Sequence, residues 1–220
     1  RRVYLDIIGT LPTPDEARSF IQDQRADKRE KLVDALLERP EYADYWALKW
    51  SDLLRVDRTA LGHQRAYAYY RWVREGFAAN RPFDRFAREL VAAEGLIDET
   101  PAANFFRVAN KPGDAASTLS QVFLGVRITC AECHHHPFDR WGQDDYYRMS
   151  AYFAPLSVKK FGAAEALVGE GESSARNPRT GEVLVAAPLG VRHAPLPVGA
   201  QALGAKRLLP DGKGDQRAAL

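Results

Sequence analysis

The chain has 220 residues with 31 basic and 29 acidic side chains, so its formal net charge is only +2. This balance gives no basis for binding nucleic acid or an anionic membrane surface. Hydrophobic residues make up 45% of the chain and charged residues 27%, which is ordinary for a globular protein that buries a core without disulfide bonds. No apolar run approaches the roughly 18–20 residues of a membrane span, so we expect no transmembrane segment in this sequence.

The first two-thirds of the chain are predicted to be helical. Thr13, Pro14 and Glu16 form a capping box at the start of one helix. A second helix is predicted to start at Asp27 and to end before Pro40. Apolar side chains at helical spacing predict five more helices. Their stripes cover 42–54, 69–77, 83–91, 119–123 after a cap at Asp114, and 146–153 after a start at Asp144 or Asp145.

The composition changes at Pro155, after which the chain is richer in Gly, Pro and Val. The run N-P-R-T-G at 177–181 is a turn signal, and a strand could follow at 182–185. We therefore predict a mainly α-helical fold, with a multi-helix body over residues 1–154. A small β-hairpin and loop region over 155–220 would lead to a C-terminal domain outside this sequence. Because 216–220 resembles the first turn of an unfinished helix, we expect the sequence to be a piece of a longer protein.

The two cysteines of the chain, Cys130 and Cys133, are three positions apart, and His134 follows directly. In c-type haem attachment two such thiols form thioethers with the vinyl groups of the porphyrin, and the imidazole of the next residue binds the iron. The pattern therefore predicts a covalent haem c site with His134 as the proximal ligand. Arg127 is a candidate partner for a haem propionate.

Three other interpretations of this cluster stay open. Cys130 and Cys133 could form a redox dithiol, although no βαβ pattern surrounds them. Together with His134 and His136 they also supply four possible zinc ligands. The paired spacing with a long intervening loop that is typical of zinc sites is absent, however. The cluster could also be a structural feature without a cofactor.

The ligand on the opposite face of the iron is not fixed by the motif. The two histidines after His134 follow it too closely to reach that face. Met149, the only methionine, lies among aromatic residues and is a candidate distal ligand that would raise the reduction potential. A lone methionine on an apolar helix face is also an ordinary core residue. His63, His193 or an open coordination position are the other options.

Several short motifs occur in the order that is typical of one family of bacterial proteins. They are RVYLDIIG at 2–9, LPTP at 11–14, LGV at 124–126, CAECH at 130–134, PFD at 137–139, DYY at 145–147 and RNPRTG at 176–181. In these motifs the chain resembles the planctomycete cytochrome c-like domain family. That family is a domain of unknown function with a CxxCHxH motif, normally followed by a second uncharacterised domain in large secreted proteins. The resemblance covers nearly the whole chain and implies covalent haem c.

The motif and the resemblance lead us to expect a c-type cytochrome-like electron-transfer or haem-redox module rather than a complete enzyme. It would exchange electrons with the C-terminal domain that follows or with a redox partner protein. We expect a periplasmic, cell-surface or secreted location, because haem c is attached outside the cytoplasm. The alternative function is a domain that holds zinc or another metal at the CxxCHxH cluster, for example within a saccharide-processing enzyme. The third is a structural interaction domain.

Overall fold

The computed structural model describes residues 1–190. Residues 191–220, which include His193 and the segment 216–220, lie outside the described part. Within residues 1–190 the fold is mainly α-helical, with short antiparallel strands near its C-terminal end, and the predicted fold class is confirmed.

Ten α-helices occur in this part of the chain. They are α1 Arg2–Ile8, α2 Pro14–Gln22, α3 Lys28–Leu37, α4 Pro40–Leu53, α5 Arg58–Leu61, α6 His63–Ala78, α7 Phe83–Val91, α8 Asn104–Val108, α9 Pro112–Leu124 and α10 Gln143–Ala151. Two 3₁₀-helices cover Pro101–Ala103 and Thr129–Glu132. The strands are β1 Gly95–Leu96, β2 Leu156–Phe161, β3 Ala164–Gly169, β4 Ser174–Arg176 and β5 Val183–Val185.

The helix starts show which sequence signals were sufficient. The capping box of α2 is confirmed, because the Thr13 backbone N–H donates to Glu16 and the Glu16 N–H donates to the Thr13 hydroxyl. The prediction that Asp114 caps α9 is wrong, since the helix begins two residues earlier at Pro112. The fixed φ of proline suits the first helical position. Asp114 lies in the first turn instead, where it accepts a 2.8 Å hydrogen bond from Arg55.

The main core lies between the helices from α4 onward and the inner face of β3. Its largest fully buried side chains include Tyr69 on α6, Leu90 on α7, Phe105 on α8 and Leu167 on β3. Trp50 on α4 is surrounded by phenylalanines from three other helices, which extends this core outward. Because helices and hairpin share one core, the body provides a rigid support for the segment between α9 and α10.

The strands pack on the helical body in two antiparallel groups. β3 pairs with β2 along its whole length and with β1 on its other edge. The predicted turn at 177–181 and the strand after it are confirmed, because β4 and β5 pair on either side of that turn. Asn177 within the turn is buried and donates a 2.8 Å hydrogen bond to Asp144 of α10. The hairpin region therefore contacts the helix that follows the cysteine motif.

Candidate functional site

The cysteine motif lies on a short connection between two helices of the body. α9 ends at Leu124, and Gly125 after it has a φ of 66°, a left-handed conformation that glycine adopts without strain. The Val126 N–H then donates a 3.0 Å hydrogen bond back to the Ser120 carbonyl. Two residues later Ile128 is fully buried in the main core. The chain therefore reaches the motif from a fixed position.

The motif itself forms the 3₁₀-helix Thr129–Glu132, a surface turn held from beneath. Ala131 is fully buried, whereas Cys130 and Cys133 on either side of it are exposed free thiols. The Glu132 carbonyl accepts hydrogen bonds from Gln143 Nε2 at 2.9 Å and from Tyr147 Oη at 3.4 Å, both on α10. The turn thus presents two accessible thiols from an anchored backbone.

His134 has one ring nitrogen engaged and the other available. Its Nδ1 lies 2.6 Å from the His135 carbonyl oxygen. A carbonyl oxygen accepts hydrogen bonds and cannot donate them, so Nδ1 must carry the proton. The neutral ring then has its lone pair on Nε2. Metal-binding histidines commonly donate their second ring nitrogen to a backbone carbonyl in this way, which fixes the tautomer and raises the basicity of the ligand.

The next two histidines are engaged in packing and in the loop that follows. His136 Nδ1 accepts a 3.3 Å hydrogen bond from the Phe138 backbone N–H, so in the neutral ring the proton lies on Nε2. The His135 ring lies against Gly142, where a Cβ atom would stand only 3.3 Å from ring atoms. The role of His136 as an alternative metal ligand stays a prediction.

The other residues predicted for the site lie apart from the thiols. Arg127 is exposed and forms no ion pair within residues 1–190, so its pairing with a propionate stays a prediction. Met149 on α10 is 2% exposed and belongs to the main core, where an unbranched thioether is an ordinary space-filling side chain. Its role as the distal iron ligand also stays a prediction. His63 begins α6 and is exposed.

Haem attachment and zinc binding require different arrangements of side chains. Among residues 1–190 no group of three or more His, Cys, Asp or Glu side chains is arranged to hold a metal ion. A structural zinc site needs four such ligands around one point. Haem c attachment needs two accessible thiols and one imidazole with a free Nε2. The two exposed thiols and the imidazole of His134 are the groups that haem attachment would use.

A cleft of about 1090 Å³ opens beside the motif turn. Thr129 and Glu132 line it, together with Tyr146 and Tyr147 of α10. Burial, and after it the negative charge of Glu132, raise the pKa of both tyrosines, and the Cys133 thiol adds to the effect on Tyr147. Both phenols therefore stay protonated. The cleft was not predicted, because its lining is drawn from positions as far apart as 52 and 176.

The fold and the motif together define a mainly α-helical protein that presents a CxxCH turn on its surface. A family model, PSCyt2, described as a protein of unknown function (DUF1549), matches residues 1–158, and the chain belongs to this family. No curated protein and no solved structure matches the chain. Within residues 1–190 no helix has the length and the apolar character needed to cross a membrane.

Proposed function

We propose that this chain is a c-type cytochrome-like module in which Cys130 and Cys133 bond a haem and His134 binds its iron. The observation that carries the proposal is the 2.6 Å contact between His134 Nδ1 and the His135 carbonyl oxygen, which leaves the lone pair of the neutral ring on Nε2. The exposed thiols support it, because both sulfur atoms must reach vinyl groups of one porphyrin.

The anchored turn would position the two thiols and the His134 ring for haem attachment. Buried Ala131 and the two hydrogen bonds to the Glu132 carbonyl hold the backbone between the thiols, so that their spacing is preorganised. In the neutral ring of His134, the hydrogen bond to the His135 carbonyl holds the proton on Nδ1 and leaves the lone pair on Nε2. Bound haem would supply one-electron redox chemistry, and its potential would depend on the axial ligand and the solvent exposure of the ring.

We further propose an exported location, because the thioether bonds of haem c are formed outside the cytoplasm. Such a module would pass electrons to or from a redox partner or a domain that follows it in the same protein. A complete enzyme is not required by these residues. A zinc-binding function is not favoured, because the described cysteine and histidine side chains do not converge on one point.

The test is expression of the exported chain in a bacterial host with a haem-attachment system. We expect a red protein whose haem stays on the polypeptide after denaturation, measured by its reduced pyridine spectrum and by intact mass. Replacing both thiols (Cys130→Ser and Cys133→Ser) should abolish covalent haem. Thr129→Ser on the same turn is the matched control and should retain the full amount.

Two results would decide against the proposal. Colourless protein with unmodified thiols, from a host that loads a control cytochrome, would overturn it. One equivalent of zinc by elemental analysis, lost on His136→Gln, would establish the metal-binding alternative instead. Haem that survives His136→Gln but loses its normal iron spectrum on His134→Ala would assign the axial ligand to His134.

A further inference from the structure

Phe138 is the most exposed large hydrophobic side chain within residues 1–190. It is 94% exposed, and the next in rank, Ile21, is 73% exposed. Burying a phenylalanine side chain stabilises a protein relative to leaving the ring in water. Phe138 does not gain this stabilisation. It lies only five residues after Cys133. This exposed aromatic ring, close in sequence to the proposed cofactor site, is therefore available to contact a bound group.

The exposure of this ring is imposed by a well-defined loop. The His136 N–H donates a 2.8 Å hydrogen bond to the carbonyl of Trp141, which closes the loop 136–141. Trp141 is buried, and its Nε1 donates to Asp139 Oδ2 at 2.8 Å. Asp139 Oδ1 also accepts from the Arg140 N–H at 2.7 Å. The loop is thus fixed at both ends, and it holds Phe138 outward.

We propose that Phe138 packs on the haem and limits the access of water and small ligands to the iron. This inference rests on the proposed haem attachment. A porphyrin bonded to two surface thiols carries a large apolar ring into a region that would otherwise be wet. Phe138 is four residues from His134, and a chain of that length spans at most about 14 Å, so its ring lies within reach of such a group. Contact between the two aromatic systems would remove both from water.

The role proposed for Phe138 does not require Met149 as a second iron ligand. Met149 is 2% exposed and lies in the main core, to which Ala131 of the motif turn also belongs. The Phe138 ring would cover the haem without supplying a ligand atom. The reduction potential would then be set by His134 and by the exclusion of water. Removing that cover exposes the haem, which stabilises the more highly charged oxidised iron and lowers the reduction potential.

The test uses the exported, haem-loaded chain and compares Phe138→Ala with Phe161→Ala, which truncates a 58% exposed phenylalanine on β2. Covalent haem content is measured first and should equal that of the unaltered protein in both variants. The rate of cyanide binding to the oxidised iron should then rise severalfold in Phe138→Ala, and its reduction potential should fall. Phe161→Ala should leave the cyanide-binding rate and the reduction potential unchanged. Phe138→Leu should keep both close to the values of the unaltered protein.

The outcomes separate this inference from the proposed function. Full haem content with the same cyanide rate and the same potential in Phe138→Ala would overturn the role of Phe138 and leave haem attachment standing. Absence of covalent haem from the unaltered protein would overturn both. Because Phe138 makes no buried contact, circular dichroism should show an unchanged fold. If the alanine variant fails to load haem, Phe138→Thr provides the same two readouts.

Discussion

Two regions of the molecule have cores of very different size. One is the helical body that carries the motif, and the other consists of the three N-terminal helices. The body buries large side chains completely, including Tyr69, Phe105 and Phe153. The helices α1 to α3 form a separate cluster with only Tyr4, Ile8 and Leu36 buried, and α2 buries no residue at all. Burial of apolar area is the main stabilising term, so the N-terminal helices have much less to hold them in place.

The two regions meet at α4. Trp46 on α4 donates a 3.1 Å hydrogen bond to the Ile7 carbonyl at the end of α1. Gly9 follows with a φ of 72°, and a Cβ atom there would stand 2.2 Å from the Tyr45 ring. A glycine is therefore needed for both the backbone turn and the close packing. The comparison implies that α1 to α3 open locally while the body and the motif turn remain folded.

Truncation of the main core should produce the largest loss of stability. Phe105→Ala should lower the free energy of unfolding by about 3–5 kcal/mol, because the side chain is fully buried on α8. Denaturant unfolding followed by circular dichroism measures the change. Phe161→Ala on the surface of β2 is the control, with an expected change of about 0.5 kcal/mol or less. Equal effects of the two variants would show that the main core is misassigned.

Truncation of the N-terminal cluster should have a smaller and more local effect. Leu36→Ala should cost about 2–3 kcal/mol, at the low end for such a change, because a small cluster can collapse around the cavity. Hydrogen exchange should accelerate in α1 to α3 and stay unchanged in α9 and α10. Leu37→Ala, next in sequence and 45% exposed, is the matched control. Faster exchange throughout the body would refute the separation of the two regions.

A methyl group added at Gly113 should strain the packing between α9 and α10, the two helices on either side of the motif turn. A Cβ atom at Gly113 of α9 would lie 2.1 Å from the Tyr146 hydroxyl oxygen on α10. Alanine favours helices over glycine by up to about 1 kcal/mol, but overpacking costs about 1–3 kcal/mol, so Gly113→Ala should destabilise the body. Thermal unfolding measures this. The double variant with Tyr146→Phe, which removes that oxygen, should recover part of the loss, and a single variant as stable as the unaltered protein would contradict the packing.

Loss of the α2 cap should cost about 1 kcal/mol and be confined to the N-terminal helices. Thr13→Ala removes the hydroxyl that accepts the Glu16 N–H, leaving one donor of the first turn without its partner. Faster hydrogen exchange in the first turn of α2 is the expected sign. Thr10→Ala, at a nearby exposed position, should leave exchange unchanged. Equal exchange in the two variants would show that the capping box contributes nothing.

The smallest expected effect is a pH dependence carried by the body. Hydrogen bonds from Arg65 lower the pKa of Glu165 on β3 and of Asp98. A carboxyl pKa that is lower in the folded state stabilises the protein above the ordinary pKa, and this contribution is lost as the pH falls through the lowered value. We expect less than about 1 kcal/mol, since one partner is half exposed.

Unfolding measured between about pH 5 and pH 3 tests this dependence. Glu165→Gln should flatten the decline in stability with acid, because the variant no longer has a carboxylate to protonate. Glu172→Gln, an exposed position, is the control and should keep the decline. A decline that is the same in all three proteins would remove Arg65 and Glu165 from the explanation.

Local signals in the sequence were sufficient where a few neighbouring residues decide the structure. Thr13 with Glu16 fixed the start of α2, and the turn at 177–181 fixed the pairing of β4 with β5. Short elements were missed, among them α1, α5 and α8. These helices have four to seven residues, which is too short to show helical periodicity, and they depend on tertiary contacts for their stability. The pairing of β1 with β3 joins positions about 70 residues apart and leaves no local trace.

By itself, the sequence determined the mainly helical fold class and the CxxCH motif, because helical periodicity, caps and a five-residue pattern are local properties. Only the tertiary structure decided how the three adjacent histidines differ. His134 has a free Nε2, His135 packs on Gly142, and His136 accepts a hydrogen bond within its loop. The tertiary structure also placed Met149 in the core and Phe138 in water. The physical reason is that burial and tautomer depend on neighbours brought together by folding, which residue type alone does not specify.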